Sequence, residues 1–218
     1  EYERDLHAFV ASADFPCVGA KAALVRDEIS CMILEDITRS AEDIELRAQL
    51  CEFSKSLARE GPLVQSFAAI FTGPAVLSEP EFENALWNRL QCLHNLDTVA
   101  GEPWAADISP DPASPHFSVS FCGEAFFVIG LHPNASRPAR RFRYPTLIFN
   151  SHAQFDRLRE DGRFDIMKRI IRKNEVAATG SINPMLSDYG EASEARQYSG
   201  REVGADWSCP FRAKVTSE

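Results

Sequence analysis

Four arginines, Arg137, Arg140, Arg141 and Arg143, stand within seven residues of an acidic chain, directly behind an apolar run that ends in His132. Guanidinium groups this close repel one another unless an anion lies among them, and their planar forks suit carboxylates and phosphates. A solvated basic face is the alternative. Pro138 and Pro145 pin the segment, and Phe142 and Tyr144 interrupt it, which favours arginines turned toward a partly buried anion. Neither G-x-x-x-x-G-K-[ST] nor G-x-G-x-x-G occurs, so the usual phosphate loops are missing and a carboxylate-bearing ligand gains ground. His132 precedes Pro133, which has no amide proton and so stops a strand ladder. Strand ends that open into loops commonly carry binding residues.

His152 follows the next apolar run. If the two strands are neighbours, both histidines lie at one sheet edge, where they could serve a metal or cofactor. Otherwise each is a hydrogen-bonding or surface group. The tail gathers Asp188, Glu191, Glu194, Arg196 and Arg201, either as a site or as a solvated loop with internal ion pairs. Asn183-Pro184, Gly190 and Gly200 set turns, which marks 179–211 as an ordered segment. Phe15-Pro16-Cys17 and Cys209-Pro210-Phe211 mirror one another near the two ends, and either cysteine is a thiolate ligand or a small buried residue. The six cysteines form no C-x-x-C pair, a pattern expected of reduced thiols in a cytoplasmic protein. The nucleophile elbow G-x-S-x-G and the zinc helix H-E-x-x-H are both absent.

The elements that must position these groups follow from periodicity. Leu46, Leu50, Phe53 and Leu57 predict a helix over 40–57. Phe82, Leu86, Leu90 and Leu93 predict another over 79–96, opened by a capping box at Ser78 and Glu81. Helical spacing also covers 152–158 and 164–172. Short apolar runs at 29–34, 64–71, 125–131 and 146–150 predict strands, the third apolar on both faces. Residues 117–121 alternate strictly, predicting one buried and one polar face, with a tight turn at 122–124. The proline-rich stretch 103–115 reads as a surface loop. Together these predict one α+β domain over residues 1–218, with a single mixed or mostly antiparallel sheet packed by helices.

A chain of 218 residues suffices for a sizeable core and a pocket. Its net charge of −9 argues against general binding to nucleic acid. No apolar stretch approaches the roughly 20 residues of a membrane span, and no secretory signal is visible. The sequence leaves both a monomer and a homodimer open.

Phe15-Pro16-Cys17, His132–Phe142, Pro145–Phe155, Gly180–Leu186, Asp188–Gly200 and Cys209-Pro210-Phe211 together resemble the YqcI/YcgG family, over most of the chain. Some of its members are haem-dependent N-hydroxylases of guanidine groups in arginine-like amino acids. The resemblance therefore implies haem b, a guanidino or amino-acid substrate, O2 and electrons from an external reductase. His132 is the expected axial ligand, with His152, then Cys17 or Cys209, as alternatives. Arg137, Arg140, Arg141 and Arg143 would meet the propionates. Asp188, Glu191 and Glu194 would take the cationic guanidine, and Arg196 or Arg201 the substrate carboxylate. Competing readings are a haem carrier or sensor without turnover, a small anion-binding domain, and a non-haem iron oxygenase using His132, His152 and a tail carboxylate.

Overall fold

Residues 1–57 and 64–214 are described by a computed structural model. Five strands, β1 (Ile29–Asp36), β2 (Ser66–Gly73), β3 (Val119–Phe121), β4 (Glu124–Leu131) and β5 (Thr146–Ser151), form one sheet in the order β1-β2-β5-β4-β3. Helices α1 (Tyr2–Ala11), α2 (Val18–Val25), α3 (Asp43–Ser56), α4 (Glu79–Ala100), α5 (His152–Glu160), α6 (Phe164–Thr179) and the short α7 (Ala195–Tyr198) surround it. The connection through α3 carries the chain back along its length, so β1 and β2 pair in parallel. The other neighbouring pairs are antiparallel. The expected mixed α+β class is the one adopted.

The alternation of side chains along β2 sorts the helices into layers. Phe67, Ala69 and Phe71 enter a core with Leu46, Leu50 and Phe53 of α3 and Phe82, Leu86 and Leu90 of α4. Ala68 and Ile70 point the other way, toward Leu6 and Val10 of α1 and Ala23 of α2. Covered on both faces, β2 reads in sequence as an unbroken apolar run.

At 22 residues, α4 is about 33 Å long. At its start the Glu81 carboxylate accepts from the Ser78 amide at 2.8 Å and the Ser78 hydroxyl at 2.6 Å, as the capping pattern predicts. It ends at Gly101, whose φ of 74° is the left-handed conformation glycine reaches without strain. Side chains of α4 reach the backbone of β4 at Gly130. A Cβ placed on Gly130 would stand 2.7 Å from Phe82 and 2.9 Å from both Leu86 and the Tyr198 carbonyl.

Three expectations change. Helix α6 runs on to Thr179, because no glycine or proline interrupts it before Gly180, whose φ is 78°. The face of 117–121 read as polar is buried, with Ser118 at 0% and Ser120 at 3% exposure, because chain from elsewhere covers it. The Ser120 hydroxyl, for instance, accepts from the Ala105 amide at 2.9 Å. Not every thiol is free. Cys51 of α3 and Cys122 in the β3–β4 turn form a disulfide with a Cα separation of 5.4 Å. The turn folds over α3, a closeness that a sequence separation of 71 conceals. Among the described residues no helix is long and apolar enough to cross a membrane.

Candidate functional site

The four arginines bond to the protein itself: Arg140 is turned inward, whereas Arg141 and Arg143 lie exposed at the surface. Arg140 donates to the carbonyls of Gly130 at 3.0 Å, Gln197 at 3.1 Å and Tyr198 at 3.2 Å. Burial lowers its pKa to about 10, and it stays cationic at neutral pH. Arg141 donates to the carbonyls of Ala135 and Ser136, both at 2.9 Å. Arg137 reaches Glu175 at 2.6 Å and Arg143 reaches Asp5 at 3.0 Å. These guanidinium groups fasten the 133–143 loop to β4, α1, α6 and the tail. They do not converge on a common ligand.

His132 is packed, not presented. It is 1% exposed, its ring stacks on Phe82 at 4.3 Å and 18°, and its Nδ1 has no hydrogen-bond partner. Nor does it meet His152. Strands β4 and β5 are neighbours, but antiparallel, with Leu131 opposite Thr146 and Phe126 opposite Ser151. The two histidines therefore stand at opposite ends of the pair, about 23 Å apart along the strand direction. A metal triad built on both cannot form, and a haem ligand at His132 has no room.

His152 has a different setting. It opens α5 just after Ser151, whose hydroxyl caps the helix by accepting from the Ala153 amide at 3.1 Å. Its Nε2 lies 3.0 Å from the Glu194 carboxylate and 2.9 Å from the Ser118 hydroxyl oxygen. The Ser118 and Tyr198 hydroxyls both donate to the Phe126 carbonyl, at 2.7 and 3.1 Å, and Tyr198 accepts from the Val119 amide at 3.4 Å. With its proton so spent, Ser118 can only accept from His152. Nε2 therefore carries a hydrogen, shared between Ser118 and Glu194. Burial, reinforced by Glu194, holds the Tyr198 phenol well above its ordinary pKa and keeps it a donor. The side chains of His152 and Glu194 are 12% and 10% exposed.

Beside this array lies a cavity of about 530 Å³, lined by Phe164, Tyr189, Arg159, Lys168, Asp165 and Asp188. The Tyr189 ring meets the His152 ring edge-on at 5.1 Å. Lys168 bridges Asp188 at 2.9 Å and Asp165 at 3.3 Å, and Arg159 lies 4.5 Å over Phe164. The next residues of the same segment line a second cavity of about 490 Å³, with Glu191, Arg196, Trp207, Cys209, Arg212 and Asp111 on its walls.

The predicted carboxylates thus divide. Glu194 is inside with His152, Asp188 is paired with Lys168 and Arg172, and Glu191 accepts from the Asp188 amide at 3.2 Å. Arg201 is tied to the buried Glu83, which also accepts from Ser199 at 3.0 Å. Arg196 donates to the carbonyls of Val203 and Gly204. Cys17 caps α2, its sulfur accepting from the Ala20 amide at 3.4 Å, and burial raises its pKa. Burial pushes Cys209 up to about 12. Both are thiols at neutral pH. Ser118, Tyr189, Tyr198 and Lys168 were not legible as site residues, since a hydroxyl or an ammonium has no chemical signature until its partners are placed.

A sequence model of the YqcI/YcgG family matches residues 6–212. The uncharacterized protein YqcI of Bacillus subtilis (strain 168) is 28% identical over 207 residues, a match covering 90% of this chain and 80% of that protein. No solved structure matches the chain. The family match takes in both histidines, the arginine loop and the ordered tail: the chain belongs to the YqcI/YcgG family.

Proposed function

We propose that this chain is a haem-dependent oxygenase that N-hydroxylates the guanidine group of arginine or an arginine-like amino acid, with His152 as the axial ligand. The observation that carries the reading is the Glu194–His152 pair. Metal-ligating histidines usually donate their second ring N–H to a carboxylate, which fixes the ring and raises its basicity. Nε2 is committed in this way, so ligation falls to Nδ1. Arg159 and Lys168, at the adjoining cavity, are cations of the kind propionates take, and Phe164 and Tyr189 supply aromatic walls. These groups support His152 over His132, which is enclosed against Phe82.

Bound haem would supply O2 activation, with two electrons from an external donor. The chain's own groups would do the rest. Glu194 holds the His152 ring and balances charge at its Nε2–H. Ser118 and Tyr198, fully buried, keep that pair in register. A guanidinium substrate would need a carboxylate, for which Asp188, on exchange of its Lys168 and Arg172 partners, and Glu191, one on each cavity, are the candidates, and its flat face suits Tyr189 or Trp207. Hydroxylation consumes O2, two electrons and two protons, and leaves an N–OH and one water. Mass spectrometry of haem-loaded protein given arginine, reductant and air should show one oxygen added to the amino acid. Haem binding with every guanidino amino acid left unchanged would point instead to a carrier or sensor.

A further inference from the structure

Apart from both cavities, α1 and the sheet-edge strand β1 bring three ligand-type side chains together. Glu3 and His7 stand one turn apart on α1, and Cys31 lies on β1. One ligand atom from each falls within 4.8 Å of the other two. The geometry leaves the donors unsatisfied. His7 Nε2 is buried with no hydrogen-bond partner, and it lies 3.9 Å from the Glu3 carboxylate, beyond hydrogen-bonding range. Cys31 makes only a 4.0 Å contact to the Ile29 carbonyl of its own strand. Leaving a buried imidazole nitrogen unpaired is costly, and a cation among the three groups would remove that cost.

We propose that Glu3, His7 and Cys31 bind a divalent transition metal of the zinc class. A thiolate with an imidazole and a carboxylate selects Zn²⁺ or Co²⁺ over the hard cations Mg²⁺ and Ca²⁺, which want oxygen alone. Bond lengths of about 2.0–2.3 Å place tetrahedral ligands roughly 3.3–3.8 Å apart. The three atoms need close by only about an ångström, which side-chain rotation supplies. Three protein ligands leave the fourth position to water. Binding exchanges the Cys31 S–H for a sulfur–metal bond and releases one proton. The metal would tie α1 to the sheet edge, away from His152 and Glu194, so the site does not depend on the oxygenase reading.

The test is a Co²⁺ titration of the full chain without haem, in anaerobic buffer lacking reductant so that the Cys51–Cys122 bond stays intact. One equivalent should produce a thiolate-to-cobalt charge-transfer band with tetrahedral visible absorption, release one proton, and be displaced by Zn²⁺. Cys31→Ser should abolish the charge-transfer band, and His7→Asn or Glu3→Gln should weaken binding at least about tenfold. Glu3 is exposed and Cys31 half-buried, so these changes spare the fold. A wild-type chain without the charge-transfer band, or a band that survives in Cys31→Ser, overturns the assignment.

Discussion

His132 shows how one buried residue couples pH to stability. Burial lowers its pKa from 6.5 to about 4, against an upward pull from Glu79 and with a further downward push from Arg140. The folded protein therefore holds this imidazole neutral while the unfolded chain protonates it. The stability it shares in is intact above about pH 6.5 and declines as the pH falls toward 4, on the order of 3 kcal/mol in all. His132→Phe keeps a ring against Phe82 and cannot titrate. Urea unfolding from pH 7 to pH 4.5 should show wild type losing more stability than His132→Phe, and parallel acid limbs would refute the assignment. At this scale the sequence was legible as chemistry and opaque as partnership. Of the four neighbouring arginines Arg140 does turn inward, but what meets it are the backbone carbonyls of Gly130, Gln197 and Tyr198, which every residue possesses and no pattern marks.

Between elements, side chains of α4 and the tail backbone press on β4 at Gly130. No side chain fits there, because two of the three atoms a Cβ would strike belong to the packed Phe82 and Leu86, and the third is backbone. Gly130→Ala should destabilise the protein by about 1–3 kcal/mol. The measurement is a lowered urea midpoint at unchanged slope, and an unchanged midpoint would mean that α4 shifts freely. Hydrophobic period found all five strands and the long helices, since β2 and α4 owe their patterns to the cores they fill. Strand direction was a different matter. Alternation says which residues share a face and nothing about which way a neighbour runs. The pairing of Leu131 with Thr146 accordingly separated two histidines that adjacency alone had united. Helices α1 and α2 escaped notice beside the stronger strand signals that follow them.

Taken whole, the molecule is a sheet with helices on both faces, closed along one edge by its own tail. Glu194 and Tyr198 come from the tail, which gives His152 its carboxylate and Ser118 a second hydroxyl neighbour. The turn-setting residues of 179–211 foretold an ordered tail, but its destination depends on tertiary packing that no local spacing encodes. The same holds for the Cys51–Cys122 link between α3 and the β3–β4 turn. On the proposed function, the imidazole braced by a buried carboxylate is where an iron porphyrin would bind. Spectral titration of the purified chain with haem tests this most directly. Wild type and His132→Phe should each bind one equivalent at micromolar concentration with a shifted Soret band, and His152→Ala should lose it. No saturable binding by wild type, or a Soret band that survives in His152→Ala, would contradict the account.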